Sequence, residues 1–202
     1  MTIRVMGRQL NVIMDIFKKY PKKFFVRPNV FCIQHNLIKN KQDHVKKLKK
    51  FRNLFNYFFV DTKKTTLSMT SKYLEKVSKN KGNLMYCIFY KRKLIGQYGI
   101  EYLGKKRISL DNAIRFSPLG GKELFNLIEK KLLNLIINNN LGYYILIIVN
   151  KNNFLSVNMH NKFNFKNAKL ICDVEDLISY VRSTSKNPND FFIKGIKATK
   201  KI

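Results

Sequence analysis

Apolar residues between positions 84 and 116 arrive in three runs, 84–90, 94–102 and 108–116. The polar turns Lys91-Arg92-Lys93 and Gly104-Lys105-Lys106 separate them. Short β-branched and aromatic runs bounded by turn chemistry predict an antiparallel meander. After Pro118 and Gly120-Gly121 the period changes to that of an amphipathic helix over 120–138. Residues 141–149 are then continuously apolar, the pattern of a strand covered on both faces. A further helix is expected over 154–162.

Upstream, Val5, Leu10, Ile13, Met14 and Phe17 form one helical face, which Pro21 ends. Residues 24–38 are aromatic and β-branched but broken by Pro28, predicting a strand or strand pair. Residues 41–59 are helical in pattern. Their stripe of Leu48, Phe51, Leu54, Phe55 and Phe58 lies beneath a solvated lysine face at Lys46, Lys47, Lys49 and Lys50. A helix over 65–77 presents Tyr73, Leu74 and Val77, with Thr70 or Ser71 as its N-cap. Beyond 165 the pattern predicts a strand over 168–172, a helix over 175–182 and a basic end. The resulting division is a helical extension at 1–25, one α/β domain at 26–182 and a basic tail at 183–202.

The chain has 202 residues, enough for one domain with a sizeable core. Its 40 basic and 12 acidic side chains give a formal charge of +28. Such a field draws polyanions and predicts weak, nonspecific nucleic-acid binding. Only 8 of the basic residues are arginine, whereas base and phosphate recognition favours the arginine fork. Hydrophobic residues make up 45% of the chain, which excludes a disordered basic tail. No apolar run reaches membrane length. Cys32, Cys87 and Cys172 are widely spaced, each with apolar neighbours, and no C-x-x-C is present. They read as three buried thiols in a reducing, cytoplasmic setting. With His35, His44 and His160 they form no ligand spacing, so no metal is expected.

Chemistry concentrates in residues 108–165. A strand running into a glycine turn at a helix N-terminus is suited to phosphate, because free N–H groups and the helix dipole both favour anions. Further on, Asn153-x-x-Ser156 and His160-Asn161-Lys162-Phe163-Asn164-Phe165 resemble the closing motif of the GNAT N-acetyltransferases, usually Asn-x-x-Ala/Ser followed by Tyr-x-x-x-Gly-Phe. Lys93-Leu94-Ile95-Gly96-Gln97-Tyr98-Gly99 resembles that family's third strand. The resemblance covers roughly residues 50–170. It implies a mixed, mostly antiparallel central sheet flanked by helices, and acetyl-CoA as cosubstrate.

On that resemblance, Leu119, Gly120, Gly121 and Lys122 would hold the pyrophosphate, although the family's loop is Gln/Arg-x-x-Gly-x-Gly/Ala and the glycines here are adjacent. Ile114, Arg115 and Phe116 would pair with pantetheine along a strand that splays from 143–149. Asn153 would cap the following helix and contact the cofactor. The family commonly has a tyrosine acid seven residues after the motif asparagine; here that position is His160, and imidazole also donates protons near neutral pH. Asp111 is expected to bind or deprotonate the acceptor amine, with Asn112, Arg52 and Asn53 beside it. The strand Leu-Asp-Asn-x-Ile-Arg resembles enzymes that acetylate amino sugars on nucleotide carriers. A protein N-terminus, such as that of a ribosomal protein, is the alternative acceptor. A basic RNA- or ribosome-binding protein without catalysis is the alternative class.

Overall fold

The structure, a computed structural model, describes residues 17, 19–140 and 142–199. In chain order it contains β1 (Lys23–Arg27), β2 (Val30–Gln34), α1 (Lys41–Leu54), α2 (Leu67–Lys79), β3 (Asn83–Tyr90), β4 (Lys93–Gly104), β5 (Arg107–Arg115), α3 (Leu124–Asn139), β6 (Tyr144–Asn150), α4 (Phe154–Asn161), β7 (Lys166–Asn167), α5 (Glu175–Thr184) and β8 (Phe191–Lys197). The strands form one eight-stranded sheet in the order β1-β2-β3-β4-β5-β6-β8-β7. Every pairing is antiparallel except β5 with β6. The fold is therefore the mixed, mostly antiparallel α/β sheet expected.

Two-residue alternation sorts the core into layers. Ile108, Leu110, Ile145, Ile147 and Val149 pack with Leu124, Ile128, Leu132 and Ile136 of α3 and Met159 of α4 on one face. On the other, Met85, Cys87, Leu94, Ile114 and Phe116 meet Val45 and Leu48 of α1 and Leu74 and Val77 of α2. Leu146, opposite in direction to its neighbours, packs with Val174 and Leu177, which places α5 on this second face. Arg107, 3% exposed, locks α5 down through two 2.7 Å bonds to the Asp176 carboxylate.

Several elements depart from the sequence expectation. The α2 N-cap is Thr66, whose hydroxyl accepts from Met69 N–H at 3.2 Å, while Thr70 is buried inside the helix. Helix α3 starts at Leu124 rather than 120, because Gly120 and Gly121 hold φ of 88° and 79° and prolong the turn. Residues 168–170 form a 3₁₀ turn, not a strand. The expected basic tail, 183–202, contains β8, which lies between β6 and β7 and pairs with β6 from Tyr144↔Lys197 to Asn150↔Phe191. Most of the expected N-terminal helix falls outside the described residues. Phe17 and Tyr20 join the main core, and the Tyr20 hydroxyl donates to Asn140 Oδ1 at 2.7 Å. The ordered sheet begins at Lys23, within the expected extension. Among the described residues no helix is long and apolar enough to cross a membrane.

Candidate active site

The site lies where β5 and β6 part. Their parallel ladder runs only through Arg107↔Tyr144, Ile108↔Ile145 and Ser109↔Leu146, although both strands continue. The cause is local. Between the pairs Gly99↔Asp111 and Gln97↔Ile114 the β4–β5 register shifts, and Asn112 takes a left-handed φ of 52°. Such a bulge bends its strand and redirects the residues beyond it. Gly96 lets β5 stay close to β4 here: a Cβ on it would lie 2.8 Å from the Ile114 carbonyl oxygen.

Beyond the bulge the backbone directions are fixed. Phe116 N–H donates to the Ile95 carbonyl at 2.8 Å, so Phe116, and with it Ile114, bonds toward β4. Antiparallel alternation then points the N–H and C=O of Arg115 into the gap. The three residues expected to meet the cofactor thus divide. Arg115 offers free backbone, while Ile114 and Phe116 bury their side chains on the α1 face.

The glycine loop closes the end of the gap. The Arg115 guanidinium ties it together, with Nε donating to Ser117 O at 2.8 Å and Nη2 to Gly121 O at 2.9 Å and to Pro118 O. Arg27 of β1 donates to Gly120 O. Both guanidiniums take carbonyl oxygens. Among the described residues the N–H groups of Gly120, Lys122 and Glu123 have no protein acceptor. Unpartnered donors beside the α3 N-terminus are an arrangement that suits an anion. Leu119 is half exposed at its rim. Arg27 lies 93 residues from its loop partner, and no local sequence signal marks it.

On the opposite side of the gap, Asn153 caps α4, its Oδ1 accepting from Ser156 N–H at 3.3 Å. His160, in the last turn, is buried against α3, where Nδ1 bonds Glu129 Oε1 at 2.7 Å. Its Nε2 has no protein partner among the described residues. Glu129 is fully buried, with its second oxygen unbonded near the equally unbonded Tyr98 hydroxyl. Glu129 was missed at the sequence level. The available signal was an acid on the apolar stripe of α3, between Ile128 and Leu132.

Asp111 and Asn112 sit at the bulge, with Arg52 of α1, Tyr73 of α2 and Tyr180 of α5 around them. Asp111 accepts from the Asn112 backbone N–H at 2.6 Å, and Asn112 Nδ2 donates to the Tyr73 hydroxyl at 2.9 Å. Asp111 is accessible to water yet surrounded by protein. This desolvation raises its carboxyl pKa above the usual value, against the lowering effect of Asn112 N–H and the Arg52 charge. Tyr73 and Tyr180 are raised in turn, first by desolvation and next by the Asp111 charge, with Glu101 also acting on both and Asp61 on Tyr180. Asp61, Glu101 and Asp111 gather here, with Arg52 and, beside Glu101, Lys76 as cations.

Arg52 stacks over Phe59 at 4.4 Å and donates to the Asp61 carbonyl at 3.0 Å. Asn53 braces the α1–α2 loop, bonding Thr65 O at 2.9 Å and Thr65 N–H at 2.8 Å. Its amide is already committed to the fold.

The reading of histidines and cysteines as unconnected is corrected. His35, His44 and Cys87 converge, all buried, with their donor atoms within 4.8 Å of one another. The chain path over β2, the first turn of α1 and β3 brings them together, and no short-range spacing encodes that. Burial lowers both histidine pKa values to about 4 and leaves the rings neutral. Of the three thiols, Cys32 and Cys87 are buried and Cys172 is half-buried.

The sheet is mixed and splits at a bulged strand, with a glycine loop and a helix N-terminus at the opening. No protein-family model matches the sequence, and neither does any curated protein sequence. Solved structures do. A GCN5-related N-acetyltransferase from Brucella melitensis superposes with a TM-score of 0.60 at 15% identity, covering 89% of this chain and 80% of that one. The microcin C7 self-immunity acetyltransferase MccE, in complex with acetyl-CoA and AMP, gives 0.62 at 13% identity, with 88% and 97% covered. Spermidine N-acetyltransferase from Vibrio cholerae, in complex with CoA and spermine, gives 0.57 at 13%, with 70% and 83% covered. The chain has the GNAT N-acetyltransferase fold.

Proposed function

We propose that the protein transfers an acetyl group from acetyl-CoA to a primary amine. The observation that carries this reading is the opening between β5 and β6, with the Arg115 backbone facing it and the unpartnered N–H groups of Gly120, Lys122 and Glu123 at its end. Pantetheine amides would extend the sheet along Arg115, and the pyrophosphate would sit on the loop. The thioester carbonyl then lies against the free strand edge, where a backbone N–H stabilises the oxyanion. The neutral amine attacks the carbonyl, the tetrahedral intermediate collapses, and the thiolate leaves with a proton. His160 would supply that proton from Nε2, with Nδ1 held by Glu129, and the nitrogen of the new amide would give up one proton in exchange. A carboxylate that orients an imidazole is a recurrent catalytic device.

The acceptor is read from charge. A nucleotide carrier would bring phosphates toward Asp61, Glu101 and Asp111, whereas a protonated amine is attracted by the same groups. We therefore favour a cationic amine, including a peptide N-terminus, over an amino sugar on a nucleotide. Asp111 would bind the ammonium and take up its proton before attack.

The test is acetyl-CoA turnover, followed by thiol release, with spermidine, short peptides bearing free N-termini, and an amino-sugar nucleotide. Release with the cationic amines and little with the nucleotide supports the assignment. The reverse order returns the acceptor to the nucleotide-sugar class.

A further inference from the structure

Outside the transfer site, one group of side chains has the composition of a metal centre. His35 opens the 3₁₀ turn after β2, His44 sits in the first turns of α1, and Cys87 lies in the middle of β3. His35 Nδ1 and His44 Nδ1 are 2.8 Å apart. Cys87 Sγ is 3.4 Å from His44 Nδ1 and 4.0 Å from His35 Nδ1. Metal–nitrogen bonds of about 2.0–2.1 Å and a metal–sulfur bond of about 2.3 Å place tetrahedral donors roughly 3.4 Å (N···N) and 3.6 Å (N···S) apart. The observed triangle brackets those values, and small rotations of the two rings open its short edge.

A second, independent observation fixes the direction of the lone pair. Gln97 Nε2 donates to the Asn112 carbonyl at 3.2 Å, which leaves Gln97 Oε1 as the atom facing His44 Nε2 at 2.6 Å. An amide oxygen only accepts, so His44 carries its proton on Nε2 and presents a bare Nδ1 to His35 and Cys87. An imidazole that donates one nitrogen to an oxygen and turns the other inward is held as metal-bound histidines typically are.

We propose that His35 Nδ1, His44 Nδ1 and Cys87 Sγ bind one thiophilic d¹⁰ cation. Two imidazoles and a thiolate select Cu(I) or Zn²⁺ over the hard cations. Cu(I) forms a neutral three-coordinate centre with these donors, and Zn²⁺ adds a water as its fourth ligand. On binding, the Cys87 thiol proton is released to solvent, and the His35 proton moves from Nδ1 to Nε2. Without a cation, burial keeps that thiol protonated and the rings joined by their Nδ1···Nδ1 hydrogen bond. Through His44–Gln97–Asn112 the centre is bonded to the bulge that splits the sheet, so the ion braces it.

The test uses the full chain, freed of metal and then equilibrated with Zn²⁺ in one arm and with Cu(I), under anaerobic reducing conditions, in the other. Metal retained after desalting is measured by mass spectrometry, and thermal midpoints are recorded. The expected result is one ion per chain, a raised midpoint, and loss of both in Cys87→Ser and His44→Gln but not in Cys172→Ser. The arm that retains metal identifies the cation. Should the core variants fail to fold, Co²⁺ added to the Cys32→Ser/Cys172→Ser protein decides the matter, since any thiolate-to-cobalt charge-transfer band then arises from Cys87. Retention of neither ion by the folded wild type, retention unchanged in Cys87→Ser, or absence of the cobalt band overturns the proposal.

Discussion

Asp111→Asn separates the requirements of the site from those of the fold. The substitution keeps an oxygen that accepts from the Asn112 N–H, removes the charge, and gives up the bond that Asp111 Oδ2 accepts from Asn112 Nδ2. If that charge holds the acceptor ammonium, its loss removes one charge-assisted hydrogen bond, about 1.5–3 kcal/mol. Asp111 remains open to water, so the lower half of the range applies. At about 1.4 kcal/mol per decade, that is a roughly twelve- to fortyfold loss in kcat/KM for the amine. Affinity for acetyl-CoA, which is held elsewhere, stays unchanged. Stability moves the other way. The Asp111 pKa is raised on folding, so the folded state takes up this proton more readily than the unfolded chain. The carboxylate therefore destabilises the fold at pH values above its folded pKa, and the effect disappears below the unfolded value of about 3.9. The midpoint of Asp111→Asn relative to the wild type should therefore move in the variant's favour between pH 3 and neutral pH. Steady-state kinetics with a cationic amine, beside melting curves at both pH values, provide the check. An unaltered kcat/KM refutes the acceptor role; a midpoint difference between variant and wild type that is the same at both pH values refutes the desolvation argument.

Three further outcomes are expected. Gly121→Val forces a branched side chain into φ of 79° within the glycine loop and should weaken acetyl-CoA binding about tenfold, some 1.4 kcal/mol; calorimetry that finds wild-type affinity in a folded variant removes the loop assignment. His160→Phe should lower turnover on the order of 10²–10⁴ with little change in CoA affinity, and His160→Tyr should restore part of it; near-normal turnover in His160→Phe places the acid elsewhere. The Asp176 carboxyl is held below its ordinary pKa by Arg107, so the stability it contributes is present above about pH 4 and lost as pH falls through the depressed value. Asp176→Asn should accordingly flatten the acid limb of a stability-versus-pH curve, and a limb of wild-type shape would show that the pair contributes nothing.

What could be read from the sequence was local. Three apolar runs between lysine turns define β3, β4 and β5, and a change of period at Gly120 and Gly121 marks α3. The loop that joins them carries its own chemistry in adjacent glycines. The features that escaped depend on distant partners. Phe191–Lys197 is basic and short, and only its pairing with a buried β6 makes it a strand of the sheet. Thr66 rather than Thr70 caps α2 because Thr70 falls on the buried face, which a single amphipathic turn does not reveal. Arg27 and Glu129 reach the site from β1 and from the middle of α3, and each acquires meaning only from what it faces. The His35–His44–Cys87 triangle draws on three elements with separations of 9, 43 and 52 residues, so short-range ligand spacing had nothing to detect.

The central claim is that the opening between β5 and β6 presents acetyl-CoA to an amine. Its most direct measurement is thiol release from acetyl-CoA by the purified chain as a function of amine concentration, with the substrate-free rate subtracted. The account predicts saturable release with a cationic primary amine, acetylation of that amine by mass spectrometry, and loss of both in Gly121→Val at limiting acetyl-CoA. Absence of acetyl-CoA binding together with absence of amine-dependent release across the panel would contradict it.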